Sequence, residues 1–295
     1  MPPEVAEDVA TPRRVVLDAL ASVLVLAPAL AAALAAIAGT IGADSRWLAA
    51  LGRSIVADRA IPDGVPFATA PSAGWPNVPV LAELVFDGVH RAFGERGFQL
   101  AQVVAVAAAF ALLALGARRS GAGEGGTALV LIVAIAGSLS ALVVARVQLF
   151  SLALFPLLLL LLRAEARAPS RRIWLLVPLV ALWSNLHGAV LVGIAVAGAY
   201  LVVDRVRREP WTVAGVLVAL VPALCLTPAL WRTPDYYLGV LGNEAARRGV
   251  GLWARLSPRR RSTCSSLRPR WRSSFSPCAR GRRSGSSSRL PASRS

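Results

Sequence analysis

A transmembrane helix needs about 20 consecutive apolar residues, within a range of roughly 17–25, and this chain supplies such runs repeatedly. They lie at 15–41, 98–117, 127–145, 147–162, 173–203 and 211–230. The first follows Arg13 and Arg14, as a signal peptide would, but it is too long for a signal core of roughly 7–15 residues. Only 16% of the residues are charged, against about 25% in a soluble domain. Mean hydropathy is +0.59. The sequence therefore predicts an all-α, multi-pass transmembrane bundle with about seven hydrophobic segments, counting 173–203 as two.

Arginines set the orientation, because cytoplasmic loops carry the basic excess. Arg13 and Arg14 put residues 1–14 in the cytoplasm and 43–97 outside. Arg118 and Arg119 return the chain to the cytoplasm, and Arg146 falls at the next outer turn. Arg163, Arg167, Arg171 and Arg172 mark one cytoplasmic loop, and Arg205, Arg207 and Arg208 another. The expected location is the plasma or inner membrane.

Segment 173–203 then has two cytoplasmic flanks and has to go out and return. Two full spans need about 40 residues at roughly 1.5 Å each, and the segment has 31. The expectation is a short hairpin that turns near 184–188, within "ALWSNLHGAVLVG". Its polar Asn185 and His187 would face protein or water, because an unpaired polar group in hydrocarbon costs several kcal/mol. The competing reading is one long tilted helix, which inverts everything downstream.

The outer segment 43–97 carries two amphipathic helices. "ADSRWLAALGRSIVAD" opens with Asp44 or Ser45 as a capping residue. Trp47, Leu48, Leu51 and Ile55 follow helical spacing. Pro62 stops this helix, and a Pro/Gly-rich stretch leads to "VLAELVFDGVHRAFG". There Glu83, Asp87, His90 and Arg91 share one face. A solvated face is the plain reading of Glu83 and His90, and Asp58 and Asp63 read as loop acids.

Four stretches resemble GT-C-type bacterial membrane glycosyltransferases, the protein mannosyltransferase and aminoarabinose transferase group. They are "ADSRWLAALGRSIVADRAIPDGVPF", "WPNVPVLAELVF", "ARVQLFSLALFPLLL" and "IWLLVPLVALWSNLHGAVLVG". In the third, Val147 stands where the family commonly has proline. The resemblance spans residues 12–257. It implies sugar transfer from a polyprenyl-phosphate donor to an acceptor at the outer membrane face. It assigns Asp44 to the acceptor hydroxyl, as base or through a metal. It implies no certain cofactor, and a divalent metal is the one it allows. A departing lipid phosphate needs a cation, and Arg146 suits that task because its fork matches phosphate geometry. Asn185, His187, Glu83 and His90 complete the candidate substrate and lipid-phosphate contacts. The acceptor is unknown. The plainer roles are helix capping for Asp44, snorkelling for Arg146 and turn-holding for Asn185 and His187.

The tail is a different kind of sequence. All acids lie at or before Glu244, and 12 of the 32 arginines lie from Arg255 onward. Residues 258–295 read as an Arg/Ser-rich disordered tail of the sort that binds anionic lipid or RNA. The genetic code gives a second origin: codons for Ala-Pro-Leu-Asp-Val-Leu-Leu, read one base late, yield the string at 260–266. The expectation is a frameshift near 257–259, a GT-C-like transmembrane domain at 15–257, and a truncated chain whose transfer activity is in doubt. Resequencing the locus tests this; absence of an apolar alternative frame refutes it. The pI of about 11.6 comes largely from this tail, so no nucleic-acid partner is expected. The rival class is a non-enzymatic transporter or scaffold, since transporters also carry intramembrane polar breaks. The paired half-repeats common in transporters are missing from the sequence.

Overall fold

The computed structural model describes residues 12–69, 71–242 and Arg248. The regular structure of the described region is helical apart from one two-stranded parallel pairing. Its contacts divide the chain after Asn243. The expected frameshifted tail lies outside the described residues.

Helix α1 (Pro12–Ala38) is followed by β1 (Thr40–Ile41). The outer segment forms α2 (Ala43–Asp58) and α3 (Val80–Phe93). Then come α4 (Glu95–Arg119), α5 (Glu124–Val143), β2 (Val144–Ala145) and α6 (Leu149–Arg167). After a 3-10 turn, the chain forms α7 (Leu176–Ser184) and α8 (Val190–Tyr200), which runs into a π-helical turn. Helices α9 (Pro210–Cys225) and α10 (Thr233–Leu241) close the described part.

Helix α6 joins three apolar cores. Leu149 packs with Leu48, Phe86 and Phe98 of α2, α3 and α4. Leu152 packs against Ala31, Phe110 and Leu142 of α1, α4 and α5. Leu158 and Leu162 pack with Trp183, Val190 and Val216 of α7, α8 and α9. The outward surface is oily too: Leu129 and Ile132 of α5 are each 62% exposed, and Val218 of α9 71%. Such a surface is stable facing hydrocarbon rather than water.

The described residues support fewer spans than the sequence reading gave. Among the described residues, three helices (α4, α5 and α6) are long and apolar enough to cross a membrane. The count rises to four if the bent pair starting with α9 is one span. Seven segments are not supported, for two reasons. The helix and apolar part of 211–230 ends at Cys225 and the chain bends by 98° into the following helix. The arms α7 and α8 are only 9 and 11 residues long.

Segment 173–203 doubles back on itself. Arg205 Nη2 donates to the Ser170 carbonyl at 2.8 Å, so the segment's two ends meet. A straight helix would hold them roughly 50 Å apart. Near the turn, Gly193 of α8 lies against the Trp183 ring, where a Cβ would come within 2.6 Å of Cζ3. The base is fastened by a buried pair, Arg205 Nη1 to Glu165 Oε2 at 2.6 Å.

Candidate functional site

The β1–β2 pairing brings the two principal candidates together. Thr40 registers with Val144, and Ile41 with Ala145, so the residues that follow each strand become neighbours. Asp44 Oδ1 lies 3.5 Å from Arg146 Nε. Both side chains are about one-third exposed, at 34% and 37%. Gly42 makes the approach feasible, since a Cβ there would meet Asp44 Oδ1 at 2.6 Å and Arg146 Cγ at 2.7 Å.

Neither Asp44 nor Ser45 caps α2, contrary to the sequence expectation. The capping position is Gly42, with no side-chain cap hydrogen bond. The Ala145 carbonyl takes over the junction, accepting from Gly42 N at 2.9 Å and from Ser45 Oγ at 2.7 Å. Strand pairing settles the start of the helix and leaves the Asp44 carboxylate to face Arg146.

The hairpin tip is tied to three other parts of the chain: α3, α6 and the end of α9. Asn185 Nδ2 donates to the carbonyls of Ala181 at 2.8 Å and Leu226 at 2.7 Å. The Asn185 carbonyl accepts from Ala82 N at the start of α3, at 3.2 Å. His187 Nδ1 lies 2.7 Å from Ser151 Oγ on the first turn of α6. Trp183 Nε1 donates to the same oxygen at 2.8 Å. The indole can only donate, so Ser151 Oγ accepts from Trp183, and its bond with His187 Nδ1 runs in the direction that the imidazole tautomer sets. Arg146 precedes α6 by only a few residues, so the tip and the Asp44–Arg146 pair share the end of the bundle where α6 begins.

Glu83 is fully buried rather than part of a solvated face. Its Oε2 accepts from Asn77 Nδ2 at 2.8 Å, while Oε1 has no hydrogen-bond partner. Burial pushes its pKa up to about 7, against the opposing pull of the Asn77 hydrogen bond. Asp87, one turn on, is also buried and pairs with Arg91 at 2.7 Å and Arg53 at 3.7 Å. These acids occupy the face of α3 that packs on α2, which the spacing of polar residues could not distinguish from the solvent face. His90 lies two turns beyond Glu83, its ring centroid 5.4 Å from that of Phe98. It belongs to the packing against α4 and stands apart from the Asp44–Arg146 pair. Asp58 accepts from Ser54 at 3.0 Å and Asp63 from Gly74 N at 2.9 Å, both local contacts.

Several participants were not singled out from the sequence. Trp47, one turn past Asp44, starts a run of ring contacts: Trp47 to Trp75 at 6.3 Å, Trp75 to Tyr236 at 5.7 Å, Tyr236 to Tyr237 at 5.3 Å. The run ends at the hairpin, where Tyr237 Cε1 lies 3.5 Å from the Cβ position of Gly188. Ser151 carried a readable signal as a lone hydroxyl in an apolar run; the aromatic run carried none, because its members come from distant segments.

A carboxylate and a guanidinium, both reachable by solvent, can together accept a proton and hold an anion. They do not form a divalent-metal donor set, which needs several oxygens around one point. Among the described residues there is no group of three or more His, Cys, Asp or Glu side chains able to hold a metal ion. In comparisons with known proteins, no family model, no curated protein and no solved structure matches this chain.

Proposed function

We propose that this chain is a GT-C-type membrane glycosyltransferase, which moves a sugar from a polyprenyl-phosphate donor to an acceptor hydroxyl at the outer membrane face. The observation that carries the reading is the Asp44–Arg146 pair, joined at 3.5 Å across two distant segments. Arginine placement puts the N-terminus in the cytoplasm and this pair outside.

In this mechanism Asp44 accepts the acceptor hydroxyl's proton as the oxygen bonds to the anomeric carbon. The bond from that carbon to the phosphate oxygen breaks. The departing phosphate takes its electrons and is held by Arg146. Donor binding turns Arg146 from the carboxylate toward the phosphate, which also frees Asp44 to act as base.

The test is transfer of labelled sugar from a polyprenyl-phosphate donor in membranes containing the chain. Asp44→Asn is expected to lower the rate by roughly 10²–10⁴-fold. Undiminished transfer overturns the assignment. A non-enzymatic scaffold or transporter is the second reading. What favours it is that Asn185 and His187 use polar atoms on contacts within the chain. Under that reading Asp44→Asn changes no transfer and only the assembly of the outer segment.

A further inference from the structure

At the opposite end of α6, a cavity of about 200 Å³ opens between three helices. Its apolar wall comes from Leu113 and Gly116 of α4, Val130 of α5, and Pro156 and Leu160 of α6. Small residues make the space: Gly116 has no side chain, and Ala117 and Ala122 have short ones. Val130 is 45% exposed, so the wall continues onto the outer, oily surface.

The polar end of this cavity is basic, with no counter-ion among the described residues. Ser120 and Arg163 line it. Arg163 Nη1 donates to Ser120 Oγ at 2.9 Å, and Arg167 Nη2 to the same oxygen at 3.1 Å. Ser120 Oγ in turn donates to the Gly116 carbonyl at 2.8 Å. One neutral hydroxyl is thus the shared partner of two guanidinium groups. Arg118 and Arg119 end α4 on the same side, and Arg118 Nη1 is buried without a hydrogen-bond partner. None of these four arginines makes an ion pair among the described residues. The nearby acid is already taken: Glu165 accepts from Ser170 and Arg205. Glu124 begins α5, and it too makes no ion pair among the described residues.

We propose that this cavity binds an anionic phospholipid, with an acyl chain along the α4–α5–α6 wall and the phosphate on Arg163 and Arg167. Basic pockets between helices at a membrane face recognise such head groups. Guanidinium forks match phosphate oxygens better than they match a single hydroxyl. The site lies away from Asp44 and Arg146 and is independent of the transferase reading.

The test is lipid retention by the full chain in detergent, read by native mass spectrometry. Phosphatidylglycerol is compared with phosphatidylcholine of identical acyl chains. The expected result is preferential retention of phosphatidylglycerol that millimolar inorganic phosphate does not displace. The double variant Arg163→Gln/Arg167→Gln should lower that retention on the order of tenfold and abolish the preference. Gly116→Leu leaves the arginines in place and fills the cavity, so it should lower retention of both lipids. Equal retention of the two lipids by the wild-type chain overturns the proposal, as does retention unchanged in either variant. Displacement by inorganic phosphate would mean a free-anion site, and exclusion of phosphatidylglycerol by a polyprenyl phosphate would mean a different lipid; each overturns it. If the double arginine variant does not fold, unchanged phosphatidylglycerol retention in Gly116→Leu is sufficient refutation.

Discussion

Replacing Arg205 with methionine tests what closes the base of the α7–α8 hairpin. Arg205 is 2% exposed and Glu165 0%. Removing one partner of a buried pair costs roughly 3–5 kcal/mol, because the other charge stays buried without compensation. Glu165 keeps two bonds from Ser170, at 2.8 Å from N and 2.6 Å from Oγ. That retained support places Arg205→Met at the lower end, about 3 kcal/mol. Glu165→Met should cost less, about 1–2 kcal/mol, because Arg205 retains Glu209 at 3.0 Å and the Ser170 carbonyl at 2.8 Å. The double variant removes both buried charges, leaves only the solvent-accessible Glu209 without its cation, and fills the space with apolar atoms. It should fall within about 1 kcal/mol of the wild type. The assay is reversible SDS-induced unfolding in mixed micelles, followed by tryptophan emission. Strict additivity of the two substitutions, or an Arg205→Met variant as stable as the wild type, would refute the claim that this pair holds the hairpin closed.

Ser151→Ala removes the acceptor of Trp183 Nε1 and the partner of His187 Nδ1 in one step. It should cost about 1–3 kcal/mol by leaving a buried indole N–H unpaired; unfolding midpoints unchanged from wild type count against the tie between the tip and α6. Glu83 supplies a pH dependence. Its folded pKa of about 7 stands above the ordinary carboxyl value of 4.5, so its contribution is fully present below about pH 4.5 and is lost as pH rises through 7. Stability from this group should therefore fall by roughly 3 kcal/mol between those limits. Glu83→Gln should flatten the profile, measured as unfolding midpoint against pH, and an equally steep profile in that variant would remove Glu83 as its cause.

Part of the architecture was legible because hydrophobic length and periodicity are local properties. The amphipathic helices at 43–58 and 80–93 could be read from spacing and from Pro62. The return of 173–203 followed from two basic flanks and a shortage of residues. The number of spans was not legible, because hydropathy does not reveal where a run bends. Only the structure shows that the run at 211–230 breaks after Cys225. The buried face of α3 was also misread. Glu83 and Asp87 have helical spacing that looks solvated, yet packing on α2 buries both.

By itself, then, the sequence determined that this chain is helical and oily, where its polar interruptions fall, and which acid and arginine deserved notice. Those features depend on composition and on contacts a few residues apart. The tertiary structure alone decided which of them meet. Asp44 faces Arg146 because β1 and β2 pair in parallel, and that register depends on how α1 and α5 both pack against α4. Asn185 and His187 are tied down by Leu226 and Ser151, and Glu83 is sealed beneath α2. Long-range packing, rather than local propensity, converted a row of separate candidates into one paired site and a set of structural ties.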